Sequence, residues 1–155
     1  MTLSVLFVCL GNICRSPLAE AAFRREAERR GLDVDVDSAG TAGWHVGTAP
    51  DARAIAVARA SGVDISGFRA RLVSTVDFDR FDEIVALDLD NLRALESLRP
   101  RGTRARLSLL LDHVPGRGGE AVADPYHGGA EHFEATWADV VAGAEASVAK
   151  LARPQ

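Results

Sequence analysis

Cysteine is scarce in this chain of 155 residues: there are two, Cys9 and Cys14, both inside one short segment. That excludes a disulfide-stapled scaffold and fits a reduced compartment. Lysine is scarcer still, with Lys150 the only one among 18 basic residues, which reads as compositional bias rather than function. No stretch approaches the ~18 consecutive apolar residues that a membrane span requires. The amino terminus lacks a basic segment followed by a long apolar one, so no secretory signal is read and cytoplasmic residence is expected. Positive charge is in deficit as well, 18 basic against 22 acidic residues for a net charge of -4, which argues against nucleic-acid binding through a broad basic surface. The 4 histidines show no ligand spacing, so neither a metal nor any other cofactor is expected. With no repeat, linker or low-complexity tract, residues 1–155 read as one domain able to bury an ordinary core.

What is present concentrates near the amino terminus. Leu3 to Val8 is a nearly all-apolar run, the mark of a strand buried on both faces. The segment Cys9-Leu10-Gly11-Asn12-Ile13-Cys14-Arg15 follows it and runs through Ser16-Pro17 into a helix. Ser16 suits the N-cap and Pro17 the first helical position, where a missing N–H costs nothing. Unpaired N–H groups of the loop and first turn then converge on one point, with the positive end of the helix dipole behind them. A phosphate group fits there. Cys9 lies in the same field, which favours its thiolate, and Arg15 adds a planar fork able to hold two oxygens at once. Cys9 to Arg15 spacing alone is weak evidence in so arginine-rich a chain; the strand before and the Ser-Pro helix start after carry the weight.

Strand and helix signals alternate along the chain, which points to a single three-layer α/β domain: a four-stranded parallel sheet with helices on both faces and the phosphate-binding loop after the first strand. Strands are expected at 3–8, 33–38, 83–87 and 104–108, and helices at 17–30, 51–60, 88–98 and 130–151. In such sheets ligands bind beyond the carboxyl ends of the strands at the switch point of strand order. Asp88 precedes a helix with Asn91 and reads first as its N-cap. Asp124-Pro125 is a turn signal before it is anything else. Asn12 tolerates a left-handed backbone that a tightly curled loop calls for.

The segment from Val8 to Pro17 resembles the active-site loop of the low-molecular-weight protein tyrosine phosphatases. The likeness continues through Asp37-Ser38-Ala39-Gly40-Thr41, Trp44-His45-Val46-Gly47, Pro50-Asp51-Ala52-Arg53-Ala54, Asp88 with Asn91, and Asp124-Pro125-Tyr126, and covers nearly the whole chain. It implies that Cys9 is the nucleophile, that Arg15 and the loop residues Leu10, Gly11, Asn12, Ile13 and Cys14 hold phosphate, and that Asp124 is the general acid. It further implies that Ser16 supports the Cys9 thiolate and that Trp44 and Tyr126 wall the cleft beside the substrate ring. The expected substrate is a phosphotyrosine-containing protein, with inorganic phosphate as product and inhibitor, and with neither nucleic acid nor membrane as partner. Cys14 lies where a resolving thiol would trap an oxidised, accessible Cys9 as a disulfide.

The chain departs from the family in three places, one of them Leu72, which follows Arg71 where the family often has Gln. Many relatives carry a His in a Gly-His-x-Ala-Arg stretch that supports the loop Asn, whereas this chain has Gly67-Phe68-Arg69-Ala70-Arg71, leaving Ser38 as the candidate support for Asn12. Where many have a second Tyr after Asp-Pro-Tyr, this chain has His127. Three alternatives accompany the main reading. Arsenate reductases on this fold relay a disulfide through further cysteines, and none follows Cys14. Arginine phosphatases carry Thr where this chain has Ile13. A non-catalytic phosphate-binding module would require neither Cys9 nor Asp124.

Overall fold

The computed structural model describes residues 2–151 as a β/α alternation with four strands, all parallel. In chain order the elements are β1 (Leu3–Cys9), α1 (Arg15–Arg29), β2 (Val34–Gly40), α2 (Ala52–Ala60), α3 (Asp77–Arg80), β3 (Glu83–Ala86), α4 (Leu89–Leu98), β4 (Arg106–Leu109), a 3-10 turn at Leu110–His113, and α5 (Ala130–Leu151). Among these described residues no helix is long and apolar enough to cross a membrane.

Strand order is β2-β1-β3-β4, so the chain leaves β1 for one side of the sheet and returns to the other. The carboxyl end of β1 is therefore the switch point, and the crevice it opens is where a ligand is expected. Alternation along β1 splits the core in two. Val5, Phe7 and Cys9 face a cluster with Leu18 and Phe23 of α1 and Phe133 and Val140 of α5. Leu6 and Val8 face the opposite cluster, with Phe78, Phe81, Ile84, Leu95 and Leu109. Both faces are covered, which is why β1 reads as a continuous apolar run rather than an alternating one. Phe7 is fully buried and packs its ring against Phe23, with 5.5 Å between centroids. Truncating such a residue to Ala costs ~3–5 kcal/mol, so the base of the loop stands on rigid ground.

Several boundaries move. Helix α1 begins at Arg15, two residues before the expected start, and Cys14 rather than Ser16 occupies the N-cap position without any side-chain cap bond. Ser16 cannot cap because its hydroxyl is engaged below the loop, as described next. Pro17 at the third helical position is still tolerated, since the first four helical N–H groups have no intrahelical partner. Strand β2 extends to Gly40, where it pairs with Cys9. The helix α3 and the 3-10 turn were not foreseen; each is four residues long, too short to show a periodicity. Asp88 does cap α4, with its Oδ1 accepting from the N–H of Asn91 at 2.7 Å.

Candidate active site

The loop after β1 turns its carbonyls outward. Oxygens of Cys9, Leu10 and Ile13 accept from the N–H groups of Thr41, Ala42 and Asp51, each at 2.9 Å, and that of Cys14 accepts from Leu18. No backbone N–H from Leu10 to Arg15 has a protein acceptor among the described residues. Six donors are thus left without a protein partner in the loop that curls around Cys9, which makes a nest for an anion backed by the α1 dipole. Curling the chain this tightly puts Asn12 at φ 58, the only left-handed residue other than glycine among those described. The end of β2 presses against the loop from outside: a Cβ on Gly40 would lie 2.7 Å from the Leu10 oxygen and 3.2 Å from the Asn12 nitrogen.

Below the loop runs a network of buried hydrogen bonds in which the Arg71 N–H sets the orientation of the Asn12 amide. The N–H of Arg71 can only donate, so Asn12 Oδ1, 3.0 Å away, faces it and the Asn12 amide group faces the other way. That amide group donates to Ser16 Oγ at 2.7 Å and Ser38 Oγ at 3.0 Å. Ser38 passes its own proton to Glu20 Oε1 at 2.8 Å. Ser16 Oγ, accepting from Asn12, lies 3.0 Å from Cys9 Sγ and 3.4 Å from the Ala39 carbonyl; a thiolate at Cys9 can only accept, so toward it the hydroxyl is the donor. The hydroxyl therefore stabilises negative charge on sulfur. Burial pushes the Glu20 carboxyl up, against hydrogen bonds from Ser38 and Arg24 that pull it down. Ser38 is thus a support of Asn12, as anticipated from the missing His, and Phe68 is half-buried and packed against the core instead.

Arg15 is buried and locked on one side only. Its Nη1 donates to Asp88 Oδ2 at 2.7 Å and to the Val122 carbonyl at 3.0 Å. Nε and Nη2, the side-on fork suited to two oxygens of a phosphate, donate to no protein atom among the described residues. Burial disfavours the guanidinium charge, but Cys9, Asp88 and Asp124 outweigh it and hold Arg15 above its usual range. Asp124 closes the far side, its Oδ2 3.7 Å from Arg15 Nη2 and its Oδ1 accepting from the N–H of Tyr126 at 3.1 Å.

These groups line an open cleft of about 210 Å³: Cys9, Leu10, Gly11, Ile13, Cys14, Arg15, Trp44, His45, Asp124, Tyr126 and His127. Trp44 is 73% exposed and stands at the rim, and Tyr126 makes an edge-on contact with His127 at 5.1 Å. Asn12 and Ser16 do not line the cleft; their side chains act from beneath the loop. Cys9, expected to be accessible, is only 3% exposed, since it forms the floor and is reached through the mouth alone. Cys14 is a free, buried thiol whose ionisation is opposed first by burial and then by Asp51, Cys9 and Asp124. Two contributors escaped the sequence. The Val122 carbonyl carried no signal, being backbone; His45, dismissed as a metal ligand, could have been placed by its position beside Trp44.

Comparisons with known proteins agree over nearly the whole length. A family model described as low molecular weight phosphotyrosine protein phosphatase matches residues 4–155. The low molecular weight phosphotyrosine protein phosphatase of Schizosaccharomyces pombe is 46% identical over 134 residues, covering 84% of this chain and 85% of its own. Among solved structures, that of Primo-1 superposes with a TM-score of 0.93 at 37% identity, covering 97% of this chain and 99% of its own. A Drosophila arginine phosphatase superposes with a TM-score of 0.89 at 34% identity, with the same two coverages of 97% and 99%.

Proposed function

The chain belongs to the low molecular weight phosphotyrosine protein phosphatase family, and from that premise we propose that it hydrolyses phosphotyrosine in proteins through a phosphocysteine at Cys9. The observation that carries this reading is the loop of six unpartnered N–H groups from Leu10 to Arg15, closed by the free edge of the Arg15 guanidinium and curled around a sulfur 3.0 Å from the Ser16 hydroxyl. Such a loop neutralises three equatorial oxygens without reorganising as charge moves.

In the first step the Cys9 sulfur attacks phosphorus, the S–P bond forms as the bond to the phenolic oxygen breaks, and Asp124 delivers a proton to that oxygen. In the second, water attacks phosphorus while Asp124 takes its proton; the S–P bond breaks and Cys9 departs as thiolate. Asp124 supports both roles from the mouth of the cleft, within reach of the Arg15 fork. Trp44 and Tyr126 are the proposed walls for the substrate ring, and Leu10, Gly11, Ile13 and Cys14 the remaining floor and sides. Inorganic phosphate, the product, fits the same nest and inhibits by occupying it.

Phosphoarginine is the second reading, favoured by the likeness to the Drosophila arginine phosphatase. Ile13 weighs against it, because it presents an apolar wall to the cleft where a cationic leaving group would pass. Turnover of phosphotyrosine and phosphoarginine side by side decides between them. Asp124→Asn tests the mechanism: proton donation contributes about 10² to 10⁴ in rate, so phenyl phosphate slows far more than a nitro-activated aryl phosphate whose leaving group needs no proton. Equal slowing of both would remove Asp124 from the reaction.

A further inference from the structure

Asp124 works from a loop, and loops do not hold a carboxylate in register unless something ties them down. The near end is tied at Val122, whose N–H donates to the Leu87 carbonyl at 2.8 Å and whose carbonyl accepts from Arg15. The far end is different. Gly128 N–H closes a turn onto Pro125, and the Gly128 carbonyl accepts from Arg53 Nη1 at 3.1 Å, a side chain contributed by α2.

All three nitrogens of the Arg53 guanidinium donate. Its Nε and Nη2 reach Asp51 Oδ1 and Oδ2, each at 3.0 Å, so the guanidinium is clamped edge-on by a carboxylate. Its carbon lies 4.6 Å from the Phe133 ring centroid and 5.6 Å from that of Tyr126. Asp51 in turn caps α2 through the Arg53 N–H at 2.8 Å, and its own N–H donates to the Ile13 carbonyl of the phosphate loop. One continuous path therefore runs from Ile13 through Asp51 and Arg53 to Gly128 and Tyr126, the two residues that flank the far side of the acid loop.

We propose that Arg53 is a positioning residue that ties the Asp124 loop and the Tyr126 wall to the phosphate loop, so that the general acid arrives in register with the nest. This rests on the phosphatase reading above, in which Asp124 donates the proton. Stability is a poor explanation for so many contacts, because the Arg53 side chain is 42% exposed and exposed ion pairs contribute little. Lys cannot substitute, since a point charge does not grip two carboxylate oxygens and a carbonyl while lying on two rings.

The test uses Arg53→Met, which keeps apolar bulk against Phe133, and Arg53→Lys, which keeps the charge. Both are assayed with phenyl phosphate and with a nitro-activated aryl phosphate, alone and on top of Asp124→Asn, with thermal unfolding recorded for each. A loop displaced by a fraction of an ångström is expected to slow phenyl phosphate about tenfold more than the activated ester. Inhibition by inorganic phosphate should stay within about twofold of the parent, a difference of only ~0.4 kcal/mol. In the Asp124→Asn background that selective slowing should vanish. Equal slowing of both esters, selective slowing that persists without Asp124, or no change in either variant overturns the role of Arg53 while leaving the phosphatase reading intact. Failure of Asp124→Asn itself to discriminate the two esters would overturn the reading and this inference together.

Discussion

Replacing Ser16 by Ala separates the two halves of the reaction. Ser16 is fully buried, and its hydroxyl accepts from the Asn12 amide and sits 3.0 Å from Cys9 Sγ, where it is the donor whenever the sulfur is a thiolate. A hydrogen bond to a charged partner is worth about 1.5–3 kcal/mol. Formation of the phosphocysteine consumes the thiolate and so forfeits only part of that, whereas its hydrolysis regenerates the thiolate and forfeits most. Release of phosphate from Cys9 should therefore slow by roughly 10- to 100-fold, at ~1.4 kcal/mol per factor of ten, and become limiting. Rapid quenching should show a burst of phenol near one equivalent and an accumulating phosphoenzyme. Iodoacetate should alkylate Cys9 more slowly, because the reacting sulfur has lost a hydrogen-bond donor to its negative charge. The variant also leaves one Asn12 N–H buried without an acceptor, costing ~1–3 kcal/mol of stability, or very roughly 3–10 °C in Tm for a chain of this size. A variant with no enlarged burst and unchanged alkylation would show that Ser16 packs beneath the loop without touching the charge on sulfur.

Gly40→Ala should harm the site from outside it: the new Cβ would meet the Leu10 oxygen at 2.7 Å and the Asn12 nitrogen at 3.2 Å, both backbone atoms that cannot swing away. Overpacking of this kind costs ~1–3 kcal/mol, and inorganic phosphate binding, followed calorimetrically, should weaken along with Tm; undisturbed affinity would mean the loop shifts freely. Glu20→Gln tests the buried carboxyl at the end of the hydrogen-bond chain. Burial raises its folded value, so its contribution to stability is full below the unfolded value of about 4.3 and is lost as pH rises through the folded one. Gln does not titrate, so urea denaturation from pH 4 to pH 7.5 should show the variant gaining on the parent as pH increases; a difference that stays constant, or that moves against the variant as pH rises, would place the cost elsewhere.

The nucleophile and its cradle were legible because they obey local rules. An apolar run, a curled segment with Gly11 and Asn12, and a helix start stand within fifteen residues of one another, and each follows from its own residues. Residues brought in from a distance were not legible in the same way. Asp88 announced itself as an N-cap and performs that task with Oδ1, yet its Oδ2 also fixes Arg15, across 73 positions of sequence. Ser16 misled in the opposite sense. Its Ser-Pro context signals a cap, and the local preference lost to a tertiary demand, since the same hydroxyl serves Cys9 and Asn12. Moving the helix start back to Arg15 leaves the earliest helical amides free, which is what an anion at this position needs.

Phe68 shows how a missing side chain can be made unnecessary. The Asn12 side chain has two N–H groups and an oxygen to satisfy, and it is held in a left-handed conformation that Asn tolerates but does not prefer. Ser16 and Ser38 take the two N–H groups, and the backbone N–H of Arg71 takes the oxygen. No donor or acceptor of the amide is left for an imidazole to serve beyond a second lone pair. Arg71 is itself fixed, its side chain bonded to Asp37 and Asp77 at 3.0 Å, so the amide that serves Asn12 is held by ion pairs at the edge of the sheet. Position 68 is thereby released from polar work and contributes apolar area to the core, where its ring packs against the same cluster that carries β1 and Cys9. The geometry of the phosphate loop depends on the acceptors and donors around Asn12 being filled, and a backbone amide fills them as well as a histidine would.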